Sequence, residues 1–434
     1  MSAASRLARR SKTAQIYVAE RGFDVSYGAC GLPYYIGGFN DEINLMRIRG
    51  PEEFIAQGID LNTGVSAEGI DFEAKEVKLF DINSKRGFSE KYDKLLIAAG
   101  SDPIKPVIPG IDLPGVCTLK TLEDGRAIKD RMAGRNVKDV LIVGGGYIGL
   151  ELSEACLKMG KSVRVIESKP GLLNTFDPEF GLAARMELES HGVSVHTFEA
   201  VGSIEANESR LCAVCNGNAY EADLIILAVG TKPNTGFVRN EAIIKLPNGA
   251  IVTDSRMETS VPGVYAAGDC AASTHKILRT PTYIPLGTNA NKQGRTAADV
   301  MLGKDASYDN ALGTAMLRCV TLELAKTGVT KSEAAAAGIE ADTVSVTANS
   351  HAPYYPAPVP VTLKLCYRKD NKVIIGAQIM GRGEAAWRIN ILACAVDRGM
   401  TNKELGQLDL GYAPPFSSVW DAVHIAANAI QTKT

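Results

Sequence analysis

Short apolar runs that end in glycine or an acid recur along the chain and alternate with stretches of helical periodicity. Residues 149–167 (GLELSEACLKMGKSVRVIE) read as a helix followed by a β-rich strand ending in Glu167. Residues 2–20 (SAASRLARRSKTAQIYVAE) have the same length and plan and end in Glu20. Further on, residues 93–103 (DKLLIAAGSDP) and 223–233 (DLIILAVGTKP) match as acid, apolar strand, glycine and proline. Strands alternating with helices predict an α/β chain, and the internal match predicts two dinucleotide-binding, Rossmann-like halves. Residues 210–227 read as a hairpin, and 331–342 as a surface helix ending at Gly338.

The second half carries a full nucleotide fingerprint. An apolar strand at 140–143 runs into Gly144-x-Gly146-x-x-Gly149 at the start of a helix, and Glu167 closes the next strand. The glycines alone are weak evidence, but strand, glycines, helix and acid in this order are strong. Such a loop brings a pyrophosphate onto backbone amides at a helix N-terminus. Glu167 then accepts hydrogen bonds from a ribose diol and repels a 2′-phosphate, favouring NADH over NADPH.

The first half departs from this plan. Aligning Glu20 with Glu167 puts the equivalents of Gly144 and Gly146 before Met1, with Ser2 in place of Gly149. The first strand and glycine loop of that half, roughly a dozen residues by the length of such a unit, are expected to be missing from the chain as written. A start assigned too far downstream is the preferred account over a natural truncation, because a parallel sheet losing a central strand exposes its core.

The longest apolar runs are strand-sized, far short of a membrane span. A net charge of -2 over 434 residues argues against nucleic acid or anionic membrane as a partner. The start of the chain has no apolar stretch of the kind a secretory signal needs. Nine cysteines without framework spacing fit a reducing cytoplasm. Cys212 and Cys215 form a CxxC in the hairpin, where positions three apart face opposite sides. With no second CxxC or nearby His pair, no metal site is expected. Cys117, Cys156, Cys319, Cys366 and Cys394 read as small buried hydrophobes. Cys30 differs: Gly28, Ala29 and Gly31 leave its sulfur unshielded, and no cysteine follows until Cys117. A lone thiol holds oxidising equivalents as a sulfenic acid or as a disulfide with an outside thiol.

The segments CGLPYYIGG, LLIAAGSDP, VGGGYIGLE, LAVGTKPN, VYAAGDC and YAPPFSSVWD, in this order over nearly the whole chain, resemble the flavin-dependent pyridine nucleotide-disulfide oxidoreductases of the single-cysteine class, and within it the coenzyme A-disulfide reductases. The resemblance implies an FAD-binding domain at 1–112 and 238–312, an NAD(P)-binding domain at 113–237 and an α+β dimerisation domain at 313–434. It implies a homodimer in which electrons pass from NADH or NADPH through FAD to Cys30, whose pKa is lowered by a helix N-terminus or the flavin's surroundings, and on to a coenzyme A disulfide, persulfide or polysulfide.

By the same resemblance, FAD is held by Glu20, Arg21, Ala99 and Asp269, and the nicotinamide nucleotide by the Gly144 loop, Glu167 and Gly230. Tyr412 and Tyr354 reach across the dimer to the partner's cysteine. Tyr355 is a substitute for the latter, and His351 lies beside that segment. Arg9 and Ser26 match positions that contact coenzyme A, and Arg6 lies one helical turn from Arg9, although Arg6, Arg9 and Arg10 also read as a solvated helix face. Ala29 stands where the family often has Asn. Two other functions compete. One is an NADH oxidase or peroxidase cycling Cys30 through a sulfenic acid. The other is a flavin-free NAD-binding paralogue, should Met1 be the true start.

Overall fold

The computed structural model describes residues 1–207, 210–309 and 311–430. At its centre lies the strand Asp139–Val143, flanked in a five-stranded parallel sheet by Ser162–Glu167 and Leu224–Leu227, with Ser194–Thr197 and Val116–Thr118 at the edges. Its residues are apolar without alternation because both faces are covered. Val140 and Ile142 face a core shared with the helices Leu122–Ala133, Tyr147–Lys158 and Pro178–Ser190. Leu141 and Val143 face a second core under the antiparallel strands Val201–Asn207, Arg210–Cys215 and Asn218–Ala222.

The first half repeats the order of elements. The helix Ser2–Arg10 leads to the strand Ile16–Glu20, which pairs in parallel with Ile59–Thr63. A three-stranded antiparallel unit follows (Val65–Asp71, Glu76–Asp81, Arg86–Lys91), and then the strand Leu95–Ile97, paired in parallel with Val264–Ala266. Where the second half has one continuous sheet, these parallel strands form two separate two-stranded sheets. The matched segments also meet: Ser101–Pro103 and Thr231–Pro233 pair antiparallel, joining the two halves by corresponding pieces of chain.

The last part is a five-stranded antiparallel sheet in the order Ala315–Cys319, Leu322–Gly328, Ile374–Gly381, Pro360–Arg368, Ala341–Asn349. Ala325 and Ile379 face the helices Ile389–Arg398 and Ala422–Ala429. Leu317, Cys319, Leu322 and Leu324 turn the other way, into the core below the central parallel sheet. Into that core also dips the segment after Cys30: a 3-10 turn at Ala29–Gly31 continues as the short helix Leu32–Ile36, burying Leu32, Tyr35 and Ile36.

Of the stretch expected as a hairpin, 210–222 forms one and turns at Asn216 and Gly217, both with positive φ (46° and 91°), as a tight hairpin turn requires, while Leu224–Leu227 instead joins the central parallel sheet. Cys212 and Cys215 are both buried and free. The helix Lys331–Ala336 is capped by Thr330 and followed by Gly338 at φ +71°. Two cysteines depart from expectation: Cys117, in an edge strand, is only partly buried, and Cys394 is exposed, because Ile389, Leu392, Ala395 and Val396 make the buried stripe of its helix and leave it on the outer side. Among the described residues no helix is long and apolar enough to cross a membrane, and no group of three or more His, Cys, Asp or Glu is placed to hold a metal.

Leu141 is fully buried in the central strand. Leu141→Ala is expected to destabilise the protein by about 2–5 kcal/mol, read as a lowered midpoint in thermal or urea unfolding.

Candidate active site

The three fingerprint glycines are needed for three different reasons. Gly144 sits at φ +112°, and a Cβ there would lie 2.4 Å from the Ala228 carbonyl oxygen. A Cβ on Gly149 would lie 2.0 Å from the Gly144 carbonyl oxygen, so this glycine permits the helix to pack on its own loop. Gly146, at the N-cap of the Tyr147–Lys158 helix, has nothing within 4 Å of its Cβ direction and opens onto a cavity. Glu167 ties this loop to the strand end. Its Oε2 accepts the Gly145 N–H at 2.8 Å and its Oε1 the Lys169 N–H at 2.9 Å. Glu20 repeats part of the plan, accepting the Gly22 N–H at 2.7 Å.

A single cavity of about 2730 Å³ runs between the two halves, well beyond the few hundred Å³ of an ordinary ligand pocket. Glu20, Arg21, Cys30, Ala99 and Asp269 line it, as do Gly144, Gly146, Glu167 and Gly230. Gly149 supports the loop from behind. Arg21 is paired with Asp102 at 3.0 Å. Asp269, following Gly268 at φ +81°, accepts from Ser101 Oγ at 3.2 Å and lies 3.4 Å from Lys120 Nζ. Gly100 and Gly230 adopt positive φ (68° and 107°) at matched turns that expose backbone to the cavity. Part of this volume is the gap lined by Ile16, Val18, Leu95 and Ile97, where the described residues of the first half have no counterpart of the strand Asp139–Val143; the acids at both strand ends and the side-chain-free backbone are what fit FAD and NAD(P).

Cys30 is exposed, as expected. Its expected acidity is not found: burial of the surrounding walls raises the thiol pKa, the carboxylates of Glu151 and Asp269 raise it further, and Lys120 opposes them. The physical reason is that Cys30 lies in a 3-10 turn of three residues rather than at the start of a long helix, and carboxylates outnumber cations around it. Glu151 escaped the sequence reading. It stands on the Tyr147–Lys158 helix and lines the cavity with Cys30, and Tyr34 Oη donates to its Oε1 at 3.5 Å. Burial raises its carboxyl to about 7. The available signal was an acid two residues after Gly149, on a largely buried helix.

Tyr354 and Tyr412, 58 residues apart, are brought together by a hydrogen bond between their hydroxyls. Both are exposed, and neither lines the cavity of its own chain. Tyr355 stacks edge-on against His351, whose ring nitrogens bond Ser350 Oγ and the Pro356 carbonyl and so brace the turn.

The basic helix is not a uniformly solvated face. Arg6 pairs with Asp299 at low exposure and Arg10 lies 3.7 Å from the same carboxylate, pinning the first helix to Gly287–Met301. Arg9 points elsewhere, into a small pocket of about 120 Å³ lined by Ser2, Ser5, Arg49, Asn291 and Arg295. Arg49 donates to Ser5 Oγ at 3.0 Å, and its segment is anchored by the Ile48 N–H bonding the Ser26 carbonyl at 2.8 Å. Of the two expected substrate positions, Arg9 thus shares this pocket with Arg49 and Arg295, which no sequence pattern singled out, whereas Ser26 does not line it and meets the Arg49 segment through its backbone carbonyl alone. Ser2 and Asn291 line both this pocket and the large cavity.

The model of the pyridine nucleotide-disulphide oxidoreductase family matches residues 1–294, and that of the family's dimerisation domain matches 316–423. A CoA-dependent NAD(P)H sulfur oxidoreductase of Pyrococcus furiosus is 36% identical over 99% of the chain and 96% of its own length. An NADH oxidase of Enterococcus faecalis is 31% identical over 96% of the chain and 93% of its own. Among solved structures, an NAD-dependent persulfide reductase from A. fulgidus superposes with a TM-score of 0.94 at 35% identity, over 99% of the chain and 80% of its own.

Because a Cβ on Gly149 collides with the Gly144 carbonyl, Gly149→Ala is expected to spread the loop and weaken NAD(P)H binding at least tenfold. Titration of the purified variant with NADH checks this.

Proposed function

The chain belongs to the pyridine nucleotide-disulphide oxidoreductase family, and from that premise we propose that it oxidises NAD(P)H and passes the electrons through FAD to Cys30 and on to a coenzyme A disulfide, or to a related persulfide or polysulfide. The observation that carries the substrate is the pocket of Arg9, Arg49 and Arg295, which adjoins the cavity of Cys30 through Ser2 and Asn291. Three guanidinium groups in one small recess suit the phosphates of a nucleotide-bearing thiol.

In this reading residues 1–112 and 238–312 hold FAD, with Glu20 at the ribose end and Arg21, Ala99 and Asp269 along the cavity. Residues 113–237 hold the nicotinamide nucleotide by the Gly144 loop, Glu167 and Gly230. The bound flavin supplies a two-electron relay between nicotinamide and sulfur. Cys30 attacks a disulfide sulfur, holds one half as a mixed disulfide and releases the other as a thiol. Its accessible sulfur, with no second cysteine in the segment, suits an outside thiol as partner. Glu167 favours NADH, since its carboxylate already faces the cavity and opposes a 2′-phosphate.

Residues 313–434 pair the chain with a second copy. Trp387, Phe416, Val419 and Trp420 are exposed in this part of the chain, as are Tyr354 and Tyr412, and exposed aromatic side chains suit burial against a partner. The paired hydroxyls of Tyr354 and Tyr412 then serve the partner's Cys30 by donating a hydrogen bond to bound disulfide or departing thiolate. All nine cysteines are free, which favours the cytoplasm. The second reading, an NADH oxidase, is favoured by the relative of that name, and by the same exposed lone thiol, which suits a sulfenic acid. Anaerobic consumption of NADH with coenzyme A disulfide separates the two.

Cys30→Ser is expected to abolish disulfide turnover and, on intact-mass measurement, to lose the coenzyme A adduct formed by the unmodified protein. Arg9→Ala combined with Arg49→Ala is expected to raise KM for coenzyme A disulfide about tenfold or more, the scale of a lost charge-assisted hydrogen bond, and to leave KM for a phosphate-free disulfide unchanged. Glu167→Arg should lower the ratio of NADH to NADPH efficiency in steady-state assays. An unchanged ratio would remove Glu167 as its determinant.

A further inference from the structure

One face of the C-terminal sheet carries a row of polar residues in an otherwise apolar seam. Lys326, Gln378 and Lys364 stand opposite one another on the adjacent strands Leu322–Gly328, Ile374–Gly381 and Pro360–Arg368, while Ala325, Ile379 and Leu363, one position along, join the core on the other side. The row meets one segment of the nucleotide half in chain order. Lys326 Nζ donates to the Thr175 carbonyl at 2.6 Å, and Gln378 Oε1 accepts the Asp177 N–H at 2.7 Å. Lys364 Nζ lies 2.6 Å from Asp177 Oδ2 and donates to Glu179. We propose that Lys326 and Gln378 are positioning residues for the nicotinamide nucleotide: they hold the loop 173–177 in the form that the Gly144 loop needs, which makes the C-terminal sheet part of the nucleotide site. The inference rests on the nucleotide site of the reading above.

The other end of this loop is bonded to the fingerprint. The Leu173 N–H donates to the Gly145 carbonyl at 2.9 Å, and the Gly145 N–H is the one that Glu167 accepts. Loop 173–177, glycine loop and Glu167 therefore form one hydrogen-bonded unit. Leu173 sits at φ +50°, a left-handed conformation that a residue with a side chain keeps only where its surroundings fix it. The Phe176 N–H bonds the Leu173 carbonyl at 2.8 Å, and its ring packs against Tyr147, the first residue of the nucleotide helix, with centroids 6.1 Å apart. Leu173, Thr175, Tyr147 and Lys326 line the cavity together with Gly144 and Gly146.

Packing alone does not account for these two side chains. Lys326 and Gln378 are both buried, and burying an ammonium or an amide costs free energy that an apolar side chain of the same size does not. Burial lowers the pKa of the Lys326 ammonium, with Glu333 and Asp177 opposing it. What the polar pair supplies is direction: a donor at the Thr175 carbonyl and an acceptor at the Asp177 amide fix the loop at two backbone atoms. Arg382 lies in the same seam and serves as the contrast. Its bonds go to Glu187, near the far end of the helix Pro178–Ser190, and to Thr321 Oγ1 at 2.9 Å.

The test uses the flavin-loaded protein and calorimetric titration with NAD+, which involves no turnover. Lys326→Met and Gln378→Leu are each expected to weaken NAD+ binding about tenfold, the scale of one lost buried hydrogen bond. In anaerobic reduction of the flavin by NADH, each should raise the NADH concentration that gives half the maximal rate and leave the maximal rate unchanged, as a loss of binding alone does. Arg382→Met should lower the midpoint of thermal unfolding and keep the NAD+ affinity. Unchanged affinity in Lys326→Met and Gln378→Leu overturns the proposal. So does an equal loss in Arg382→Met, since any loosening of the seam would then act alike. Should one of the two loop variants not fold, the other decides alone. If the unaltered protein itself binds no NAD+, the reading of the Gly144 loop fails and the proposal with it, a result distinct from variants that bind as the unaltered protein does.

Discussion

The arrangement depends on how closely the segment after Cys30 packs against the nucleotide half. Leu32, Tyr35 and Ile36 enter a core that also holds Val140 and Ile142 of the central strand and Leu317 and Leu324 of the C-terminal sheet. Small residues on the facing helices make this possible. A Cβ on Gly125 would lie 2.5 Å from Leu32 Cδ2, and one on Gly37 would lie 3.0 Å from Ala155 Cα. One apolar core thus joins three parts of the chain and leaves little freedom for the cysteine turn above it. The reactive sulfur is placed by what lies behind it.

The same packing decides the charge around the sulfur. Bringing the Tyr147–Lys158 helix against the Leu32–Ile36 helix carries Glu151 and Glu154 toward Tyr34 and Cys30. Arg318 neutralises Glu154, while Lys120 is shared with Asp269 and Ser101. What is left facing the cavity is Glu151, which among the described residues forms no ion pair. Burial raises its pKa to about 7, and burial together with the charge of this carboxylate raises the neighbouring thiol. Where a helix N-terminus or the flavin's surroundings were expected to lower the thiol, the protein's own desolvation and carboxylates raise it against Lys120.

Much of the frame was legible. The repeat of 2–20 in 149–167 and of 93–103 in 223–233 emerged as matching elements, down to the hydrogen bonds that Glu20 and Glu167 each accept from an amide two residues on. These features are local: periodicity, a glycine that must take positive φ, an acid at a strand end. Arg49, Arg295 and Glu151 were not legible for the opposite reason. Each is an ordinary charged residue until the helices Ser2–Arg10 and Gly287–Met301, or the two halves, are packed together. Arg6 was misread on the same ground, since its partner Asp299 is 293 residues away.

By itself the sequence determined the α/β order, the nucleotide loop and the unshielded turn of Cys30, because each follows from short-range spacing and from what a backbone can adopt, while the tyrosine segments were marked by resemblance to the family. The tertiary structure alone decided which charges share the space around Cys30 and which arginines share a pocket. Coulomb interaction and desolvation depend on distance through space, and that distance is set by packing between segments far apart in the chain.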